Sequence, residues 1–189
     1  MSIALSMAVI LSIILSTSIS LEPTTKSEPP DFYGTSKEVT FEEMIEVANK
    51  NKLFIYLPTD LPENLELVTI YLKENPFIAI IVYSAEGNRD YKTAELTLEI
   101  APVDPKWIPT FSELQSEAEK SEDITAREIN TWPVKIHENA DIGGNSESRD
   151  KYGDYALLIY TWIEDINYVY FAPTLNFEEA IVTIGSMQK

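Results

Sequence analysis

Seven stretches of the chain are rich in β-branched and aromatic residues and are bounded by turn residues, a pattern typical of β-strands. They are residues 53–57, 65–73, 77–84, 91–101, 129–137, 155–163 and 168–172. Within the fourth stretch apolar and polar side chains alternate, which predicts one face in contact with water, whereas the third stretch does not alternate and is expected to be buried on both faces. The connections are short, so an antiparallel arrangement is favoured.

Three capping-box motifs predict the starts of helices. In a capping box, a Thr or Asn and a Glu three residues later each accept a hydrogen bond from the other's backbone N–H. The pairs are Thr40 with Glu43, Thr110 with Glu113, and Asn176 with Glu179. Apolar residues follow each pair at helical spacing, which indicates helices with one buried side. The predicted fold class is α+β: a twisted antiparallel β-sheet of about six to seven strands with two or three helices packed on one face.

The first 21 residues contain no charged side chain. As a helix they would rise roughly 30 Å, about the thickness of a bilayer hydrocarbon core. Seven Ser and Thr residues dilute this segment, and its densest apolar run, residues 7–15, has the length of a signal-peptide hydrophobic region. We interpret residues 1–21 as a signal peptide or an N-terminal membrane anchor, with a helix buried in the fold as a third alternative. Either of the first two places the protein outside the cytoplasm, secreted or anchored.

The segment that follows is rich in Pro, Ser, Thr and Glu and has little to bury. Residues 22–37 are therefore predicted to form a disordered linker, either a stalk or a simple joint. Residues 38–189 are predicted to form a single α+β extracytoplasmic domain, because this length buries a core without a second domain.

The composition of the chain excludes several kinds of partner. The net charge is −17 and the 14 basic residues are dispersed, so nucleic acid is not expected to bind and the membrane is contacted only through the N-terminal segment. The absence of cysteine excludes a disulfide framework and thiolate chemistry. Frequent Glu, Ile and Lys are compatible with a thermophilic source.

Five segments of the chain form an ordered set. They are IYLPTDLPENLELVTIYL, IAIIVYS, AELTLEIAP, VKIHENA and LLIYTWIEDINYVYFAPTLNFEEAIVTIGSM. In this order they resemble a family of uncharacterised extracytoplasmic domains found in secreted and membrane-anchored proteins of archaea and bacteria, including the outer parts of some anti-sigma factors. The resemblance covers about residues 40–187 and departs where glycine is expected, at Asn64 and at Glu138–Asn139. It implies sensing, anchoring or scaffolding outside the cell and supplies no catalytic residues.

The residues themselves carry no catalytic signature. His137 is the only histidine, and neither a nucleophile-elbow motif nor a phosphate-binding glycine loop is present. We interpret His137 as a structural or solvated residue rather than a member of a triad. One histidine without cysteine is a poor donor set for zinc or another transition metal, so we predict no metal site and no cofactor.

One loop has two interpretations. Residues 141–154 contain glycine and five oxygen-bearing side chains at loose spacing, which are Asp141, Asn145, Glu147, Asp150 and Asp154. Calcium takes such ligands outside cells, although the spacing is not that of an EF-hand. The alternative is a mobile, solvated hairpin connection, which Arg149 and Lys151 favour by partly neutralising the acids.

The best candidate binding surface is a set of four aromatic residues on two neighbouring strands: Tyr160, Trp162, Tyr168 and Tyr170. Across the short turn at residues 164–167, we expect Tyr168 and Tyr170 to lie beside Trp162 and Tyr160 and to form an aromatic face with polar tips, as at recognition sites. The alternative is that these rings are ordinary core residues or cross-strand pairs.

Together these features predict an exported, non-catalytic binding or sensing module whose partner is an unknown protein or envelope ligand. The alternative is an extracellular hydrolase with two paired carboxylates facing each other across a cleft at about 5 to 10 Å. A purely structural envelope component is a third interpretation, and it would have neither an exposed aromatic patch nor such a cleft.

Overall fold

The computed structural model of the protein describes residues 36–62, 64–142 and 145–189. The predicted signal peptide or anchor and nearly all of the predicted linker lie outside these residues. Within the described ranges, no helix combines the length and the apolarity that crossing a bilayer requires.

The chain forms an α+β fold with one large antiparallel sheet of eight strands and a small sheet of two. In chain order the strands are β1 (Lys37–Val39), β2 (Leu57–Pro58), β3 (Glu66–Lys73), β4 (Ile78–Ser84), β5 (Leu96–Pro102), β6 (Ile124–Ile129), β7 (Trp132–Asp141), β8 (Tyr155–Ile163), β9 (Ile166–Ala172) and β10 (Met187–Gln188). The helices are α1 (Phe41–Lys50), α2 (Phe111–Ala118), α3 (Ser146–Tyr152) and α4 (Phe177–Gly185), with a 3₁₀ turn at Pro105–Trp107.

The α+β class and the antiparallel pairing are confirmed, but the described residues contain more elements than the pattern predicted. The sequence of β6, ITAREI, is too polar to read as a buried strand, and α3 has no apolar stripe. The stretch 53–57 is wrong as a strand, since only Leu57–Pro58 pairs, with β10. The helices also do not all pack on one face of the sheet, because α2 and α3 lie on the other side, where their contacts are described below.

The three predicted capping boxes are confirmed. At the start of α1, the Thr40 N–H donates to Glu43 Oε2 at 2.8 Å and the Glu43 N–H donates to Thr40 Oγ1 at 3.2 Å. The same reciprocal pair starts α2 and α4. Each box satisfies N–H groups that have no partner within the helix, so the local sequence alone sets where these helices begin.

The large sheet consists of two halves that meet at its centre. Its strand order is β1-β3-β4-β5-β9-β8-β7-β6. The first half runs inward from β1 to β5; the chain then crosses through α2 to the far edge and returns through β6, β7 and β8 to β9. Strands β5 and β9 therefore become neighbours although they are far apart in sequence, and they pair from Thr97–Phe171 to Pro102–Ile166.

One face of the sheet, here called the core face, packs against α1 and α4. Met44 and Ala48 of α1 and Ala180 and Ile184 of α4 are buried in one cluster with the inward side chains of the strands. Strand β4 is buried on both faces, as predicted, because a second small cluster around Ile80 covers its other side. The opposite face of the sheet, here called the second face, is only partly covered.

Candidate functional site

The strand register separates the four predicted aromatic residues into two pairs. Tyr168 lies opposite Thr161 and Tyr170 opposite Ile159, whereas Tyr160 lies opposite Val169 and Trp162 opposite Asn167. The expectation that Tyr168 and Tyr170 lie beside Trp162 and Tyr160 is therefore wrong by one residue. The cause is the turn: β8 and β9 pair up to Ile163–Ile166 and leave only two residues between them, and a shift of one residue moves every side chain to the other face.

Tyr168 and Tyr170 belong to the core face. Their exposed fractions are 0% and 1%. The Tyr168 hydroxyl accepts a hydrogen bond from the Tyr56 N–H at 3.0 Å, and the Tyr170 hydroxyl donates to Met187 Sδ at 3.0 Å. Burial raises the pKa of both phenols above the ordinary value. These two residues are thus part of the structural core.

Tyr160 and Trp162 lie on the second face and are half-buried. Their rings are nearly parallel, with centroids 6.3 Å apart and an interplanar angle of 16°. Lys135 Nζ lies 5.7 Å from the centroid of the Tyr160 ring and forms an ion pair with Glu117 of α2. Helix α2 therefore borders the second face on the side of β6 and β7.

A row of side chains crosses the second face at the level of Tyr160. In sheet order it contains Ile80 on β4, Glu99 on β5, Val169 on β9, Tyr160 on β8 and Lys135 on β7. Glu99 thus has apolar side chains as both of its cross-strand neighbours. The polar positions of the alternating strand β5 do face away from the core, as the pattern predicted, but Thr97 beside Glu99 is buried.

A cavity of about 420 Å³ lies on this face between the middle of the sheet and the loops above it. Its floor consists of Ile80, Thr97, Glu99, Leu158, Val169 and Phe171. Four of these six side chains are fully apolar. The volume lies within the range of about 300–1,000 Å³ that is usual for small-molecule sites.

One wall of the cavity is formed by two segments that hydrogen bonds hold together. The loop between β4 and β5 contributes Tyr91 and Lys92, and the segment before α3 contributes Ile142 and Asn145. Asn145 Nδ2 donates to the Lys92 carbonyl at 3.2 Å, and the buried Ser148 hydroxyl donates to the same oxygen. These bonds tie the backbone of Lys92 to the start of α3.

The charged residues that line the cavity differ in whether they have partners. Lys92 Nζ is 3.6 Å from Glu147 Oε1, and Asp141 Oδ1 is 3.6 Å from Arg149. The Glu99 carboxylate forms no ion pair and no hydrogen bond with the described residues. The Glu99 side chain is exposed to solvent, but its apolar neighbours remove part of its hydration, and this raises the pKa of the carboxyl above its ordinary value.

The loop considered for calcium is organised around a cation of the protein itself. Arg149 Nε lies 2.9 Å from Asp154 Oδ1, and Arg149 also faces Asp141. Asn145 caps α3 by accepting from the Ser148 N–H at 3.1 Å. The described parts of the chain hold no group of three or more His, Cys, Asp or Glu side chains placed for a metal ion. His137 lies opposite Leu158 on the second face and is half-buried.

A second cavity of about 460 Å³ lies beside α4, where Val182 and Thr183 face Asp60, Leu61 and Pro62. Its lining also includes Glu178 and Glu179 in the first turn of α4, and Glu179 belongs to the capping box. Val182 is 54% exposed there. This site is remote from the aromatic residues of the second face and serves below as a control position.

Comparison of the chain with protein-family models, curated proteins and solved structures found no match. The resemblance to extracytoplasmic domains therefore stays a prediction. Sequence reasoning named Tyr160 and Trp162 but not Glu99, Leu158 or Phe171. The alternation of β5 pointed Glu99 outward, but nothing in the sequence placed an apolar strand on each side of it.

Proposed function

We propose that this protein is a non-catalytic binding or sensing module and that its ligand is a small molecule held in the cavity of the second face. The observation that carries the proposal is the cavity itself: it has a volume of about 420 Å³, a mostly apolar floor and one carboxylate without a partner among the residues that the structure describes. A concave, mostly apolar site with a few polar groups is typical of small-molecule recognition. A protein partner would instead bury roughly 800 Å² of a flatter surface.

The aromatic pair extends the same site toward β7. The residues that line the cavity do not include Tyr160, but Tyr160 lies directly opposite Val169, which forms part of the cavity floor. Trp162 stacks on Tyr160 and is only half-buried. Rings with one side in protein and the other in water supply large contact area with little loss of side-chain freedom. We therefore assign Tyr160 and Trp162 to the rim of the ligand site.

The location that goes with this function is outside the cytoplasm, on the strength of the uncharged residues 1–21. In this proposal the N-terminal segment directs export or anchors the protein, and residues 38–189 carry the ligand site. Fractionation of cells that produce the full chain tests this part. Recovery in the cytoplasmic fraction, with residues 1–21 still attached, would contradict it.

The alternative function is hydrolysis by paired carboxylates, and one feature of the cavity favours it. Glu99 and Asp141 both line the cavity, and the raised pKa of Glu99 suits a general acid. Asp141, however, faces the guanidinium of Arg149, an ion pair that accounts for its charge without a substrate. Release of reducing sugar from soluble polysaccharides by the wild type, and its loss in Glu99→Gln, would establish hydrolysis over binding.

The test of the binding site is a fragment screen by ligand-observed NMR with neutral, cationic and anionic aromatic fragments. Val169→Trp fills the cavity from its floor with a residue that β-strands accept. Val182→Trp introduces the same side chain at an exposed position on α4, in the second cavity. We expect the wild type and Val182→Trp to bind the same fragments and Val169→Trp to lose them.

Thermal melting checks that both variants are folded, and Phe171→Ala, which removes apolar floor surface without adding bulk, provides a second route. If folded Val169→Trp and Phe171→Ala both keep the fragment binding of the wild type, the cavity is not the site. If Val182→Trp alone loses binding, the ligand lies beside α4 instead.

A further inference from the structure

The charges around the second-face cavity are balanced except at one position. Lys92 has Glu147 as its partner, and Asp141 has Arg149. Lys135, at the border of the row, is paired with Glu117. Glu99 alone among these lining and bordering groups has no partner of opposite charge in the described chain. The spare charge of the cavity is therefore negative.

Glu99 is exposed to solvent, but its neighbours on the sheet are apolar. Its cross-strand neighbours are Ile80 and Val169, and Phe171 and Leu158 lie in the same floor. An exposed carboxylate keeps much of its water, but a ligand seated on the apolar floor removes that water and must supply a counter-charge in its place. A ligand with a positive charge would therefore give Glu99 the counter-charge that no described residue provides.

Aromatic side chains near Glu99 favour the same sign of ligand charge. Burial raises the pKa of Tyr160, and the negative charge of the nearby Glu99 adds to the shift. The faces of phenyl and phenol rings attract ammonium and guanidinium groups. Over longer range, the net charge of −17 concentrates cations around the protein and repels anions.

We infer that the cavity takes a small organic cation, which is an ammonium group on an apolar aromatic or aliphatic body. In this site Glu99 faces the ammonium, and the body contacts Phe171, Leu158 and Val169. This assignment rests on the proposed function, because it names the ligand class of the same cavity. Tyr160, opposite Val169, borders the site on the side of β8. The ligand is a free small molecule, since the wall of Tyr91, Lys92 and Asn145 closes one side of the floor.

Three probes of nearly the same shape test the charge: 2-(1-naphthyl)ethylammonium, the neutral alcohol 2-(1-naphthyl)ethanol and the anion 1-naphthylacetate. Calorimetric titration at pH 7 compares them on the wild type, Glu99→Gln and the control Glu128→Gln. Glu128 is an exposed carboxylate on the edge strand β6, so its removal changes the net charge equally without touching the cavity.

We expect the wild type to bind the ammonium about tenfold or more tightly than the alcohol, and the anion weakest, since a charge-assisted hydrogen bond contributes this order of affinity. Glu99→Gln should remove the preference and leave alcohol binding in place, and Glu128→Gln should keep it. Equal binding of alcohol and ammonium, or an unchanged preference in Glu99→Gln, overturns the cation assignment while the cavity remains the site. If the wild type binds none of the three probes, the cavity itself fails as a site for apolar ligands and the proposed function falls with it.

Discussion

The Tyr168 hydroxyl accepts a hydrogen bond of 3.0 Å from the backbone N–H of Tyr56. Tyr168 stands on the core face of β9, and Tyr56 lies in the segment that leads from α1 to β2. The bond joins two parts of the chain that are 112 residues apart. It gives an acceptor to a backbone N–H that lies outside any β-strand and has no strand partner. It also explains why a tyrosine rather than a phenylalanine is buried here.

Tyr168→Phe should therefore lower the free energy of unfolding by about 1–2 kcal/mol, because it leaves the Tyr56 N–H without its acceptor while the ring still packs. Urea unfolding followed by fluorescence measures the loss. Tyr160→Phe is the matched control, and we expect it to change stability by less than about 0.5 kcal/mol. Equal losses in both variants would contradict the assignment of the two tyrosines to opposite faces.

Trp162→Ala and Tyr170→Ala remove two rings that the sequence placed on one surface and the structure places on two. Tyr170→Ala should cost about 3–5 kcal/mol, because its ring fills the core. Trp162→Ala should cost only about 1 kcal/mol, while the affinity for 2-(1-naphthyl)ethylammonium falls. Melting curves and calorimetry on the same samples separate the two effects. A loss of stability in Trp162→Ala as large as in Tyr170→Ala would remove Trp162 from the binding surface.

Glu99 should make the stability of the protein depend on pH. Its pKa is raised above the ordinary value of 4.5 by partial loss of hydration, so the folded state holds the proton more tightly than the unfolded state, although the exposure of the side chain keeps the effect on stability small. The stability that this proton contributes is fully present when the pH is below the ordinary pKa of the unfolded state. It is lost as the pH rises through the raised pKa of the folded state. Glu99→Gln should thus be more stable than the wild type at pH 7, with the difference shrinking as pH falls to 4. Urea unfolding at both pH values measures it, with Glu128→Gln as the charge control; a larger advantage at pH 4 than at pH 7 would contradict the sign.

Thr131→Gly should stabilise the protein. The two residues of the β6–β7 turn, Asn130 and Thr131, both have positive φ, at 51° and 70°. This is the geometry of a type I′ turn, in which Asn-Gly is preferred because a β-branched residue is strained there. Relief of the strain should raise the free energy of unfolding by about 1 kcal/mol, seen as a higher Tm. Thr131→Ala keeps the Cβ atom and should gain less, so an equal gain in both variants would point to a cause other than the φ angle.

A chain that begins at Asp31 should unfold cooperatively with the same free energy as the full chain. The reason is that the core formed by the described residues is closed by α1, α4 and the sheet themselves. Urea unfolding of the two chains, with the full chain in a non-ionic detergent, makes the comparison. Loss of cooperative unfolding in the shorter chain would overturn the interpretation of residues 1–21 as a leader or anchor.

Local features of this protein could be predicted from the sequence because their causes are local. The three capping boxes marked the starts of α1, α2 and α4, and the run from Tyr155 to Ile163 was found at its exact bounds. A capping box works through hydrogen bonds within four residues, and a strand of β-branched and aromatic residues is favoured wherever it pairs. Alternation on β5 likewise placed Glu99 on the side away from the core.

What only the tertiary structure decided is which side chains share a face and what surrounds them. The position of Tyr170 in the core and of Tyr160 at the cavity depends on a two-residue turn and on a register that one residue would reverse. The neighbours of Glu99 come from β4 and β9, and β9 reaches β5 only after the chain has crossed to the far edge of the sheet and returned. The burial of a side chain, its pairing and the balance of charge around a carboxylate all depend on residues that are distant in the sequence. For that reason residue type and spacing along the chain did not reveal them.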